Sequence, residues 1–467
     1  MDLKKYLSVV DDARLGKSYG KVTQVIGLVI HGVGISASIG DLCVINTGRR
    51  TPHTAKRGII HAEVVGFIGD ELLLMPLGDI HGIRPGDGIV STNRPLNVWI
   101  GEQLLGRTVN ALGDPIDEAG PLIEPAIASV NNEGGIFHDS DNGSHQLQRR
   151  SIRNVPPEPF QRRRILEPLA TGVKAIDGLL TCGKGQRVGI FAGSGVGKSV
   201  LLGMIARNTD ADVNVIALIG ERGREVRDFI EKDLGPEGLK RSVVVVVTSD
   251  QPPLLRATGP STAMAIAEYF RDQGKDVMLM MDSVTRYAMA EREIGLAIGE
   301  PPTTKGYTPS VFAKLPKLLE RAGTTHDKGT ITALYTVLVE ADDMNDPIAD
   351  SVRAILDGHI VLSRELAIRN HYPAIEVTHS VSRLMVDIID PEHREAASRL
   401  KETLSIYNDA KDLIDLGAYT SGSNPRIDYA IEHIDAINDY LRQQIEEGAD
   451  FANSISRLID LLPVGVA

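Results

Sequence analysis

Residues 188–208 read VGIFAGSGVGKSVLLGMIARN, and the fold follows from the three parts of this stretch. Val188–Ala192 is a short apolar run with the character of a buried strand. Gly193, Ser194, Gly195, Val196 and Gly197 form a glycine-rich turn, and Lys198, Ser199 and Val200 open a helix-patterned run. Small residues let such a loop wrap closely around an anion, so that successive backbone N–H groups and the helix N-terminus face it. Lys198 then supplies a point charge to the β- and γ-phosphates, and the Ser199 hydroxyl is placed to ligate Mg²⁺. The strict loop pattern asks for glycine five residues before Gly197, where this chain has Ala192. The strand–loop–helix order predicts a nucleotide-binding loop over Gly193–Val200.

Outward from the loop, apolar runs alternate with helix-patterned stretches. VNVIALI (213–219), VVVVVT (243–248), VMLMM (277–281) and ITALYTVLV (331–339) are apolar throughout. Parallel strands covered on both faces have this pattern. SVLLGMIARN and PSTAMAIAEYFRDQ are helix-patterned, so strand–helix alternation predicts a doubly wound α/β core. Residues 20–95 are different: short runs broken by Gly, Asp and Pro predict a small antiparallel barrel. Leu3, Tyr6, Leu7 and Val10 stand at helical spacing before it, as expected for a helix or arm packed on the barrel. The last ninety or so residues are charged and helix-patterned. The expected architecture is therefore α/β, with an N-terminal arm and barrel (1–95), a RecA-like P-loop domain (96–375) and a helical C-terminal domain (376–467). The polar stretch at 131–148 is expected to be a loop inserted in the second, and its His138 and His145 match no metal-ligand spacing. The arginines at 149–150 and 162–164 are expected to be a solvated linker face.

The whole composition narrows the function. In 467 residues, 50 Lys and Arg against 62 Asp and Glu give a net charge of −12, which disfavours generic binding to nucleic acid or anionic membrane. Two cysteines, Cys43 and Cys182, make no disulfide framework and suit a reducing compartment. The N-terminus lacks the apolar core of a secretory signal. The apolar runs fall far short of the roughly 20 residues a membrane helix needs.

Two acidic positions complete a hydrolytic constellation. Asp282 ends the apolar strand VMLMM, where a carboxylate reaches Mg²⁺ beside a phosphate loop. Glu221 ends VNVIALIG in the sequence GERGREVRDF, at the strand end where open α/β sheets bind ligands. It could orient or deprotonate an attacking water. Glu225 is its competitor on the residues alone.

Further runs occur in order: LIGERGREVRDFI, TSDQPP, AIAEYFRDQGKDVMLMMDSVTRYAMAEREIG, GEPPTTKGYTPSVFAKLPKLLERAG, EADDMNDPIADSVRAILDGHIVLSRELA and NHYPAIEVTHSVSRLM. Together with FAGSGVGKS they resemble the flagellar and type III protein-export ATPases, a family related to the catalytic subunits of rotary F- and V-type ATPases. The resemblance runs from about residue 20 to near residue 440, and TSDQPPLLR leans toward the flagellar branch. It implies that Lys198 and Ser199 serve the phosphates and Mg²⁺, with Ala192 at the family's usual Ala. It makes Glu221 the catalytic carboxylate, with Arg222 beside it on the phosphate side, and Asp282 the Mg²⁺-side carboxylate. It makes Arg383 an arginine finger that reaches a neighbouring subunit's nucleotide, and sets Tyr372 near the adenine. Glu376 stands where the family more often has Asp, and the 131–148 stretch is longer than usual.

By that resemblance the chain hydrolyses ATP with Mg²⁺, works as a homohexamer, and releases or unfolds export substrates held by export chaperones. Its further partners would be regulator and stalk proteins of the export apparatus and a membrane export gate. It would lie in the cytoplasm, peripheral to the inner-membrane apparatus, without a nucleic-acid partner. The competing readings are an F- or V-type catalytic subunit, a Rho-like ring RNA translocase and a non-catalytic nucleotide-binding regulator. Single-strand RNA stimulation would mark the translocase, which the acidic charge and 4% aromatic content disfavour.

Overall fold

The computed structural model describes residues 19–50, 57–122, 147–326, 328–339 and 343–462. The helix expected over residues 3–15 and most of the polar insertion (131–146) lie outside them. Six antiparallel strands close a barrel: β1 (Tyr19–Ile26), β2 (Val29–Val33), β3 (Asp41–Arg50), β4 (Arg57–Ile68), β5 (Glu71–Pro76) and β6 (Gly88–Pro95), in the order β1-β2-β5-β4-β3-β6. The period-two rule sends alternate side chains inward. Ala62 and Val64 of β4 and Leu72 and Leu74 of β5 accordingly share the barrel core with Val22, Ile30, Cys43, Ile45 and Ile89. The intervening Leu73 and Met75 pack outward against the central domain. Both cysteines are buried and free.

The central sheet runs β14 (Val381–Ser382), β13 (Gly358–Leu362), β8 (Arg187–Ala192), β12 (Thr330–Leu338), β11 (Asp276–Asp282), β9 (Val213–Glu221), β10 (Ser242–Thr248) and β7 (Thr108–Val109). Every neighbouring pair along this path is parallel except β13 with β14. The sheet takes β14 from beyond the boundary expected at residue 375, because Gly358 and His359 pair with Ser382 and Val381. Each central strand is buried on both faces. Val213, Val215, Ala217 and Ile219 of β9 join one core cluster, whereas Ile216 and Leu218 join the other. Helix α2 (Lys198–Asn208) covers the second cluster, and α3 (Pro253–Asp272) with α4 (Val284–Ala297) the first.

The arginine runs are more structured than a solvated linker. Residues Gln148–Ser151 pair with Asn97–Ile100. Arg149 lies over the Trp99 ring, with its guanidinium carbon 4.7 Å from the centroid, and Arg150 bonds Asp272 at 2.8 Å. Arg162 donates to the Ala322 carbonyl at 2.9 Å. The end of α3, the turn at Ala322 and the Trp99 ring supply these partners, which local charge pattern does not disclose.

Among the described residues the C-terminal domain holds three long helices, α5 (Pro391–Asp415), α6 (Pro425–Leu441) and α7 (Phe451–Leu461), after a short one at Met385–Ile388. Asp390, Asn424 and Asp450 cap their N-termini. The helix-patterned sequence breaks after Leu441 because Gln443 docks on the core. Its side chain accepts from Lys174 N and donates to Gly172 O, both at 2.8 Å. The docking seat is helix α1 (Lys174–Leu179). The Gly178 carbonyl is 2.7 Å from His393 Nε2, and a Cβ at Gly178 would lie 2.2 Å from the Tyr440 hydroxyl. Gly178→Ala should therefore overpack this seat, at a cost of about 1–3 kcal/mol. Thermal unfolding followed by proteolysis of the C-terminal helices should show the loss; an unchanged midpoint would refute this account of the docking.

Candidate active site

The parallel registers bring the C-terminal ends of β8, β9 and β11 to one edge of the sheet. Ala192 pairs with Leu338 and Leu362, and Leu218 with Asp282. The loop after β8 turns through Gly195 and Gly197, at φ +78° and +90°. Gly197 is also the residue from which α2 starts. At that start, Lys198 reaches across the edge. Its Nζ bonds Asp282 Oδ1 and lies 3.7 Å from Glu221 Oε1. Asp282 is nearly fully buried, and the hydroxyl of Thr336 donates to the same Oδ1 at 2.7 Å.

Two carboxylates thus share one ammonium group. Burial pushes the Glu221 carboxyl up to about 7; the charge of Asp282 adds to the rise and Lys198 opposes it. Glu225 differs in kind: slight burial is outweighed by hydrogen bonds from Glu221 and Arg222, which hold it below its ordinary value. The inner carboxylate of the pair is therefore the one near neutrality, the range that suits proton transfer.

The remaining expected residues are spread around this edge and away from it. The Tyr372 ring lies against the loop, with its Cε1 3.5 Å from where a Gly197 Cβ would be. A backbone bridge between Leu362 and Ile375 holds that segment at the end of β13. Ser199 and Val200 sit in the first turn of α2. Arg222 is exposed and paired with Glu225 at 2.9 Å, not turned toward Lys198. Arg383 lies at the far edge: its N–H donates to Asp357 O at 3.0 Å, and Asp357 binds Arg187 at the first residue of β8. Five residue steps of roughly 3.3 Å separate that end of β8 from the loop, about 16 Å. Arg383 is thus remote from its own chain's phosphate loop.

Two side chains near the site escape a reading of motifs. Arg286, one turn into α4, lays its stem against Gly220, where a Cβ would come within 2.9 Å of Arg286 Cβ. Among the described residues its buried Nε has no hydrogen-bond partner. Thr336 is a fully buried hydroxyl in a strand whose neighbours are mainly apolar. Three threonines and a tyrosine occur in that strand, so the sequence alone does not single Thr336 out.

Among the described residues no group of three or more His, Cys, Asp or Glu could hold a metal ion. The oxygen donors at this edge, Ser199 and Asp282, do suit a hard cation that arrives with phosphate. Mg²⁺ is held in that way, by one or two protein oxygens plus the nucleotide and waters.

Comparison with known proteins agrees with this geometry in three segments. Residues 22–93 match the beta-barrel domain of the ATP synthase alpha/beta family. Residues 172–382 match that family's nucleotide-binding domain, and residues 389–460 match the T3SS EscN ATPase C-terminal domain. The chain is 53% identical over 445 residues to the flagellum-specific ATP synthase of Bacillus subtilis (strain 168), covering 95% of each chain. It superposes on the assembled ATPase EscN of the enteropathogenic E. coli type III secretion system with a TM-score of 0.83 and 43% identity, covering 95% of this chain and 99% of that one. On EscN in complex with its central stalk EscO the TM-score is 0.81, at 42% identity and the same coverage.

Removing the shared cation tests the site directly. Lys198→Ala leaves Asp282 and Glu221 without their counter-ion and the phosphates without a fixed charge. The expected loss of ATP affinity is about tenfold or more, the scale of one charged hydrogen bond. Titration with a fluorescent ATP analogue checks it, and wild-type affinity would exclude Lys198 from phosphate binding.

Proposed function

Because the chain belongs to the ATP synthase alpha/beta family, in the branch of the flagellar and type III secretion ATPases, we propose that it couples ATP hydrolysis at the Lys198–Asp282–Glu221 edge to protein export. The observation that carries this reading is the pair of carboxylates converging on the phosphate-loop lysine. The match at residues 389–460 supports the export branch over rotary F- and V-type catalytic subunits.

In the proposed mechanism the loop amides of Gly193–Ser199 cradle the phosphates, and Lys198 leaves Asp282 for the β- and γ-oxygens. Ser199 and Asp282 would hold Mg²⁺, which when bound neutralises charge on those oxygens. Glu221, as carboxylate, orients a water and takes its proton as the water oxygen bonds to the γ-phosphorus. The bond from that phosphorus to the β–γ bridging oxygen breaks, leaving ADP and phosphate. Tyr372 supports the adenine side. Arg383, remote from its own loop, serves the γ-phosphate of a neighbouring copy, so the working form is a ring of identical subunits, a homohexamer. The relative solved with its central stalk supports a stalk partner here. Export chaperones, their substrates and a membrane gate complete the proposed partners. No helix among the described residues is long and apolar enough to cross a membrane. As a member of the export-ATPase branch, the chain would work in the cytoplasm, docked at the periphery of the inner-membrane export apparatus.

The charge state of Glu221 makes hydrolysis dependent on pH. Its carboxyl titrates at about 7 and only the ionised form is a base. The kcat/KM for ATP should therefore fall as pH drops through about 7 and level off above it. Glu221→Gln should remove turnover yet keep ATP binding, whereas Glu225→Gln should keep turnover. A dead Glu225→Gln beside an active Glu221→Gln would exchange the two roles.

The shared site has its own test in mixing. Arg383→Ala alone should lose roughly 10³-fold or more in turnover. Mixed with Lys198→Ala subunits, it should regain activity at interfaces that combine one intact lysine with one intact arginine. Phosphate release across mixing ratios, with assembly checked by sizing, measures this. A wild-type series doped with Lys198→Ala measures how far one defective site stalls a ring. Full assembly without recovery, where doping shows no stalling, would refute action between subunits.

A further inference from the structure

Asp282 Oδ1 accepts from two donors of different mobility. Lys198 sits on a flexible stem and, in the reading above on which this inference rests, must move to the nucleotide. Thr336 cannot move: it is fully buried, β-branched and in the interior of β12, which pairs with β8 on one side and β11 on the other. Tyr335 stands opposite Met281 in the register, so Thr336 falls beside Asp282. Its hydroxyl is 2.7 Å from Asp282 Oδ1 and 3.3 Å from the Met281 carbonyl. With one proton to donate, the shorter bond to the carboxylate is the stronger one. Valine would fill the same volume and suit the strand equally well. Packing therefore does not require the hydroxyl. Its one side-chain acceptor is the site carboxylate.

We propose that Thr336 is a positioning residue for hydrolysis: it pins the Asp282 carboxylate when Lys198 transfers to the phosphates. Without it, a buried carboxylate that has just lost its cation turns toward any remaining donor, and the oxygen meant for the metal side loses its aim. Thr336 itself touches neither nucleotide nor metal ion. Its effect on turnover passes through Asp282.

The test uses the 467-residue protein with T336V, T336S and D282N, and three measurements: melting temperature, affinity for a non-hydrolysable ATP analogue in EDTA and in Mg²⁺, and kcat. T336V is expected to keep the melting temperature and the affinity in EDTA. It should lose about tenfold or more in kcat, the scale of one hydrogen bond to a charged group, and much of the affinity gained on adding Mg²⁺. T336S, which keeps the hydroxyl, should restore both to within about twofold of wild type. If T336V folds poorly, T336A against T336S isolates the hydroxyl at reduced volume. Wild-type kcat and Mg²⁺ gain in T336V or T336A, with D282N inactive, would overturn the role of Thr336 and leave that of Asp282 standing. Mg²⁺-dependent turnover in D282N would instead overturn the reading of Asp282 itself.

Discussion

A buried carboxylate, Asp282, and a half-buried one, Glu221, face a single ammonium group, that of Lys198. Desolvation penalises each negative charge, and one cation cannot neutralise both. The site therefore rests with Glu221 near its titration point and with Lys198 held by Asp282. In the proposed mechanism an arriving metal-bound polyphosphate relieves this imbalance, because it brings negative charge to Lys198 and positive charge to the carboxylates together.

Much of the remaining architecture serves to keep that edge in register. The parallel strands are apolar on both faces, so helices cover them and the polar groups gather at the strand ends. The barrel packs the outward side chains of β5 against the central domain. The C-terminal helices sit on α1 through Gly178, Tyr440 and His393, and the same domain donates a backbone bond from Gln443 N to Tyr372 O at 3.0 Å. The aromatic wall of the phosphate loop is thus tied to the helical domain. A movement of those helices would reach the glycine loop through Tyr372.

Arg383 lies beside Asp357 at the end of the sheet opposite the loop, and the proposed sharing of a site between subunits rests on that placement. Arg222, turned outward to Glu225, is likewise on a surface and not in the pocket of its own chain.

Lys198, Ser199, Glu221 and Asp282 were legible because each sits at a fixed place in a local pattern, a glycine turn or the last residue of an apolar run. The strand runs were legible for the same reason: continuous burial writes continuous apolar sequence. The closed barrel could be read from short runs broken by glycine, although its strand order could not. Thr336 and Arg286 carried no local pattern, since one is a hydroxyl in an apolar strand and the other a charge in a helix. Their meaning comes from β12 lying beside β11, and from Gly220 lying under α4. Charge pattern records residue type and not the partner across a fold, so it does not place Arg150 against Asp272 or Arg162 against the Ala322 carbonyl, whereas Arg149, Arg163 and Arg164 are exposed as expected. Local sequence thus determined the elements and the chemistry each strand end could carry. Only the tertiary structure decided which of those ends meet, that Glu221 and not Glu225 lies beside Lys198, and that the Arg383 backbone sits by Asp357 at the opposite end of β8 from the loop, because these depend on contacts between residues far apart in the chain.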